Sequence, residues 1–358
     1  MRNEYPRPDF KRDSFVSLNG TWEFCFDDYN VGHKEKWFVK HDFDKKIEVP
    51  FSFETKLSGI HDTTYHDHVW YHKKLKDIKL SDNHLFILHF EGVDYYSEVY
   101  INGYLIKDHY GSNAGFQVDI TNYLVEGEND LVVYCFDPSK DRSIPRGKQD
   151  WELEGHAIWY TRTTGIYKSV WLEQVDKKYI KNFFVRTKLD RYCISYDVEV
   201  SEPNGTLEII VYDGNDSVKN SFKVTKKKNT YEFCLPNDFV NDRIWTLQRP
   251  FLFDINLILK DDYGNVVDKV NSYLGIREVK TENGKVLLNG LPIYQKLVLN
   301  QGYYVDGNLT APTVEDMEKD IDDMIAMGFN GCRIHQKTED PLFLYLCDKK
   351  GFLVWQEC

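Results

Sequence analysis

Between Leu287 and Cys358 strand-like and helix-like apolar patterns take turns. Leu287-Leu-Asn-Gly-Leu-Pro-Ile-Tyr-Gln-Lys-Leu-Val-Leu299 predicts a hairpin and then a buried apolar strand. Thr313 to Met327 predicts an amphipathic helix, Asn330 to His335 a short strand, Asp340 to Lys350 a second helix, and Gly351 to Trp355 another apolar strand. Strands alternating with helices of this length form right-handed parallel βαβ units. Three parallel strands leave faces uncovered, so the expectation is the start of a (β/α)₈ barrel that stops after about its third strand. With most of a catalytic barrel missing, the chain reads as the N-terminal part of a larger enzyme. Its exposed apolar edge predicts self-association into a homo-oligomer, or a partly disordered last third.

Everything upstream reads as β. The 358 residues suffice for two or three domains, and an aromatic content of 15% favours strands. In residues 1–176, Trp22, Phe24 and Phe26 share one face of a strand. The pair Asn102-Gly103 sits between two alternating runs as a hairpin turn. Short strands with Asn/Gly turns predict a jelly-roll sandwich here. The long segment Asp137 to Thr164, with Trp151 and Trp159, has no regular pattern; loops of this length are functional or disordered, and its tryptophans oppose disorder. In residues 177–276, short runs at Ile180–Lys188, Arg191–Val200, Thr206–Tyr212, Thr230–Cys234, Phe253–Lys260 and Val266–Ile276 predict an immunoglobulin-like sandwich, with Trp245 and Arg249 as packing residues. Residues 277–358 hold the barrel start.

Composition narrows the chemistry. A net charge of −12 excludes nucleic acid as a partner, because phosphate binding needs clustered basic charge. No apolar run reaches membrane-spanning length, and Met1 to Pro8 has no signal-like apolar core, which predicts a cytoplasmic protein with no membrane association. The seven cysteines (25, 135, 193, 234, 332, 347 and 358) form no CxxC pair and read as reduced thiols. His61, His66 and His68 share a loop, but their spacing matches no metal-ligand pattern; no cofactor and no metal is expected. No nucleotide-binding, zinc-protease or serine-nucleophile motif is present.

Four stretches together resemble a known family. They are Leu18-Asn-Gly-Thr-Trp-Glu-Phe24; Ser97-Glu-Val-Tyr-Ile-Asn-Gly103 with Gly115-Phe-Gln-Val-Asp-Ile120; Thr164-Gly-Ile-Tyr-Lys-Ser-Val-Trp-Leu172; and Gly328-Phe-Asn-Gly-Cys-Arg-Ile-His335 with Asp340-Pro341 and Leu353-Val-Trp-Gln-Glu357. In this order the chain resembles glycoside hydrolase family 2, the family of β-galactosidases, β-glucuronidases and β-mannosidases. The resemblance implies a carbohydrate substrate and a retaining mechanism with two catalytic Glu residues, both beyond residue 358, so that this chain alone is inactive. It implies that Arg333 supports the nucleophilic carboxylate, against a structural ion pair, and that His335, Gln336 and Glu357 touch substrate, against packing or, for Glu357, a frayed and solvated end. Gln336 stands where the family commonly has histidine, and Asn300-Gln301-Gly302 where β-galactosidases commonly have Arg-His-Glu. Tyr303 and Asp306 are candidate sugar contacts, and Trp151, Trp159 and Arg162 are candidates at the barrel mouth, against interdomain packing. The alternative is a stand-alone carbohydrate-binding or interaction module.

Overall fold

The computed structural model describes residues 2–357. The first β-sandwich is built from two sheets whose facing sides carry the alternating apolar residues. Its strands are β1 (Phe15–Ser17), β2 (Gly20–Phe26), β3 (Lys45–Val49), β4 (His68–Ile78), β5 (His84–Phe90), β6 (Val93–Asp94), β7 (Tyr96–Ile101), β8 (Tyr104–Tyr110), β9 (Phe116–Asp119), β10 (Gly127–Phe136), β11 (Gly165–Ile166) and β12 (Val170–Asp176). One sheet runs β1-β12-β5-β9 and the other β3-β2-β4-β10-β7-β8. Trp22, Phe24, Val69, Tyr71 and Val133 meet Phe86, Leu88, Phe90 and Val170 in the core. Each such side chain contributes about 1.5–3 kcal/mol on burial. Asn102 and Gly103, with φ of 50° and 83°, make the expected tight turn between β7 and β8. The outer side of the larger sheet is covered too: Trp37, Trp70, Tyr100 and Tyr134 pack beneath the short helix α1 (Gly32–Glu35) and the chain that follows it.

The second β-sandwich contains β13 (Ile180–Lys188), β14 (Cys193–Val200), β15 (Thr206–Asp213), β16 (Asp216–Lys223), β17 (Lys228–Cys234), β18 (Phe253–Lys260) and β19 (Val266–Leu274), with the short helix α2 (Asn237–Val240). Its sheets are β13-β14-β17 and β16-β15-β18-β19. Strand β16 is absent from the sequence-based list. It is an edge strand with no buried residue, so its pattern lacks the apolar row that reveals the others. The reading of all cysteines as reduced thiols is also corrected. Cys193 and Cys234 stand directly opposite each other on β14 and β17 and are joined as a disulfide. Register, which brings residues distant in sequence within bonding reach, is what spacing along the chain does not show. Cys25, Cys135, Cys332 and Cys347 are buried free thiols.

The last part opens with a small sheet of β20 (Val279–Glu282), β21 (Lys285–Leu288) and β22 (Leu291–Pro292). Then follow β23 (Leu297–Asn300), α3 (Val314–Ala326), β24 (Gly331–Ile334), α4 (Pro341–Lys350) and β25 (Leu353–Gln356), with β23, β24 and β25 parallel and in that order. The helix limits follow from capping. The Thr313 hydroxyl accepts the Asp316 N–H, and the Asp340 carboxylate accepts that of Leu342 with Pro341 in the first turn. Gly351, at φ 73°, ends α4; a Cβ there would meet the Leu247 carbonyl at 2.3 Å. Cys332 and Ile334 pack on Met317, Ile321, Phe343 and Leu346 of the helices. The strands expected to be buried and apolar are only half so. Leu299, Arg333 and Trp355 lie in one register row on the face away from the helices, each about half exposed, because no layer covers that face in this chain.

The three parts are bolted together by polar contacts. Arg12 reaches Glu173 of β12 and Asp268 of β19, each at 2.9 Å, and Trp245 donates to the Asp348 carbonyl at 2.7 Å. Lys168 donates to the Thr338 carbonyl, joining the first sandwich to the loop after β24.

Candidate functional site

Side chains at the C-terminal ends of parallel strands gather at one mouth, and here that mouth meets the long loop of the first sandwich. Arg333 on β24 forms an ion pair with Glu357, just past β25. The other Glu357 carboxylate oxygen accepts the Gln336 N–H at 3.0 Å. That hydrogen bond, and the Arg333 guanidinium after it, hold the Glu357 carboxyl below its ordinary range. A frayed, solvated Glu357 was the expectation; instead its carboxylate is fixed from two sides. Gln336, at φ 57°, turns the chain after the strand. His335 falls beyond the end of β24, is half-buried, and meets the Gln301 side chain at 2.9 Å.

The 137–164 loop closes over this mouth. Gly147 sits so near Gln336 that a Cβ would lie 2.8 Å from its carbonyl oxygen. Between them is a cavity of about 460 Å³ lined by Trp151, Trp159, Arg142, Asn113, Gln336 and Glu357, among others. Trp151 and Trp159 meet edge to face at 5.0 Å, each half-exposed. Arg142 lies 4.2 Å from the Trp151 ring centre and Lys148 4.9 Å from that of Trp159. Such a cavity offers aromatic faces, amides and one fixed carboxylate, which suits a polyhydroxylated ligand.

Polar residues under the loop hold it in place. Gln149 donates to Asp94 at 2.6 Å and accepts the Thr163 N–H, while the Thr164 hydroxyl donates to Asp137. Arg146 donates to the Ser139 and Pro138 carbonyls at 3.0 Å. Burial pushes the Asp137 carboxyl up to about 6 and that of Glu54 up to about 7.

Of the residues singled out in the sequence, Gln336, Glu357, Trp151 and Trp159 line one cavity, with Arg333 bonded to Glu357. Arg162 does not join them. It is 2% exposed and donates to the Glu152 and Thr63 carbonyls, a clasp between the loop and the segment before β4. Asp306 is engaged elsewhere, paired with Lys56 at 3.1 Å. Tyr303 stacks on Tyr160 at 4.0 Å. Arg142, Arg146 and Asn113 were missed; the two arginines four apart in the same unpatterned loop were the available signal. Among the described residues no His, Cys, Asp and Glu cluster could hold a metal ion, and no helix is long and apolar enough to cross a membrane.

Comparison with known proteins places this geometry in context. Residues 15–176 match the model described as "Glycosyl hydrolases family 2, sugar binding domain", and residues 178–277 match "Glycosyl hydrolases family 2". A putative β-glucuronidase of Formosa agariphila is 29% identical over 302 residues, covering 80% of this chain and 34% of that protein. A β-galactosidase of Thermoanaerobacter pseudethanolicus is 26% identical, covering 95% and 44%. The crystal structure of Ruminococcus gnavus β-glucuronidase superposes with a TM-score of 0.81 at 21% identity, covering 99% of this chain and 60% of that one. The chain thus spans about a third to three-fifths of the length of these relatives.

Proposed function

The chain belongs to glycosyl hydrolase family 2, and from that premise we propose that it is the N-terminal part of a retaining exo-β-glycosidase acting on terminal β-linked sugars of the galactoside or glucuronide type. The relatives named as β-galactosidases and β-glucuronidases support that substrate class. On this reading residues 1–176 are a jelly-roll sugar-binding domain, 177–276 an immunoglobulin-like domain, and 277–358 the start of a (β/α)₈ barrel. The single observation that carries it is the row of parallel strands whose ends bring Arg333, Gln336 and Glu357 under the tryptophans of the 137–164 loop.

A retaining glycosidase needs two carboxyls about 5–5.5 Å apart, one as nucleophile and one as proton shuttle. Glu357 is engaged by Arg333 and Gln336 and fits a pocket-shaping role. Arg333 sits on the open face, where a guanidinium would keep a neighbouring nucleophile ionised. We assign the catalytic pair to strands outside this chain, and the chain by itself to substrate binding without hydrolysis. His335 and Gln336 are proposed sugar contacts beside Trp151 and Trp159. The half-exposed tryptophans also support the second reading, a carbohydrate-binding module. A cytoplasmic location keeps less support than the sequence suggested, since disulfides such as Cys193–Cys234 belong to oxidising compartments.

The mechanism is tested by proton NMR of a β-glycoside during hydrolysis by a version extended through all eight barrel strands. The β-anomer of the free sugar should form first. First appearance of the α-anomer would refute the retaining mechanism.

A further inference from the structure

The first sandwich splits at one corner. Strand β2 pairs with β4 from Glu23↔His72 to Phe26↔Val69, then leaves it and continues along β3 alone from Trp22 to Gly20. Strand β4 runs on to Ile78 paired only with β10. Its edge from Lys73 to Ile78 therefore has no strand partner among the described residues. The edge is regular from Lys73 to Lys76, and Asp77, at φ 57°, bulges before Ile78. Four residues of regular strand span about 13 Å. The split opens into a groove of about 970 Å³ floored by core side chains, including Leu18, Trp22, Ile78, Phe86 and Leu172.

The rim of this groove is basic on an acidic chain. Lys46, Lys73, Lys74, Lys76 and Lys79 line it together with His72. Lys74 is paired with Glu128 and Asp130. Among the described residues Lys46, Lys73, Lys76 and Lys79 make no ion pair. The groove's own carboxylates are Glu23, bonded to His72, and Asp77. Lys73 occupies the inward row of β4, in line with Val69, Tyr71 and Leu75 of the core. Its ammonium donates to the Thr21 carbonyl at 2.9 Å and lies 5.7 Å from the Trp22 ring centre. Burial lowers its pKa, and the charge of Glu48 only partly offsets this.

We propose that this groove is a docking site for an extended acidic peptide segment that adds to the free edge of β4 as a further strand. An added strand alternates its side chains between two faces. One face would set apolar residues into the groove beside the exposed Val16. The other would set a carboxylate beside Lys76, with Lys73 at the mouth taking a further one. The occupant is thus an alternating apolar and acidic sequence of about four to six residues. A glycan fits less well, because the aromatic rings at the floor are buried: Trp22 is 1% and Phe86 5% exposed, leaving no open face for a sugar to stack on.

The test is fluorescence anisotropy of the full chain with a fluorescein-labelled peptide of three Glu-Val repeats. Its controls are a Glu-Glu-Glu-Val-Val-Val peptide of the same composition and a Lys-Val repeat. The alternating acidic peptide should bind at least about tenfold tighter than either control and weaken as salt rises from about 50 to about 300 mM. Lys76→Glu, an exposed substitution that leaves the core intact, should weaken it about tenfold, and Lys73→Met likewise. Equal binding of the block peptide would overturn strand addition. Unchanged binding by both lysine variants, or self-association of those variants with no loss of peptide binding, would show that the lysines only guard the edge against pairing. Binding of an oligogalacturonate in place of the peptide would likewise overturn the proposal.

Discussion

Glu54 lies 2% exposed at the base of the long loop, with one carboxylate oxygen accepting the Thr164 N–H and the other without a hydrogen-bond partner. Burial drives it up to about 7, and Asp137 beside Thr164 up to about 6. Both groups bind a proton more tightly folded than unfolded, so stability is lost as pH rises through the interval between unfolded and folded values, about 4 to about 7. Glu173 has the opposite sign. Against its burial, which alone would raise it, His89 and Arg12 hold it down to about 2, and its contribution disappears as pH falls from about 4.5 toward about 2. From these three groups stability should therefore peak near pH 4 and decline by several kcal/mol toward pH 8. Glu54→Gln should flatten that decline in a melting-temperature series; an unchanged slope would exclude Glu54 as its source.

Secondary elements were legible wherever the chain marks its own ends. Thr313 and Asp340 cap helices at the positions their side chains announce, and Asn102-Gly103 turns a hairpin. Strand β16 was not legible, since its inward row holds only Val218 and Phe222 as apolar residues, both half-buried at the sheet edge. The Cys193–Cys234 pairing was not legible either, because it depends on the register of β14 against β17. The two cysteines are 41 residues apart, and closing a loop of that length contributes up to about 4 kcal/mol. Thiol titration of the denatured chain should count two fewer thiols before reduction than after it, and reduction should lower the melting temperature. An equal count would remove the disulfide.

Across the whole chain, the candidate site joins residues far apart in sequence. Trp151 and Trp159 belong to the first sandwich, while Gln336 and Glu357 stand on loops after parallel strands. Sequence motifs pointed to both sets, but only the fold shows that Gly147 brings them into contact with Gln336, and that Arg162 turns inward as a clasp while Arg142 stands beside the cavity. On the proposed barrel reading, Arg333 and Trp355 on the uncovered strand face mark where further strands would build. The central claim is that this chain shapes a glycosidase pocket whose catalytic carboxylates lie outside it. Its most direct test is hydrolysis of 4-nitrophenyl β-galactoside, β-glucuronide, β-mannoside and β-glucoside by this chain and by a version extended through the full barrel. Activity confined to the extended protein is the predicted result. Hydrolysis by the 358-residue chain itself would contradict the account, because its catalytic pair would then lie within the residues described.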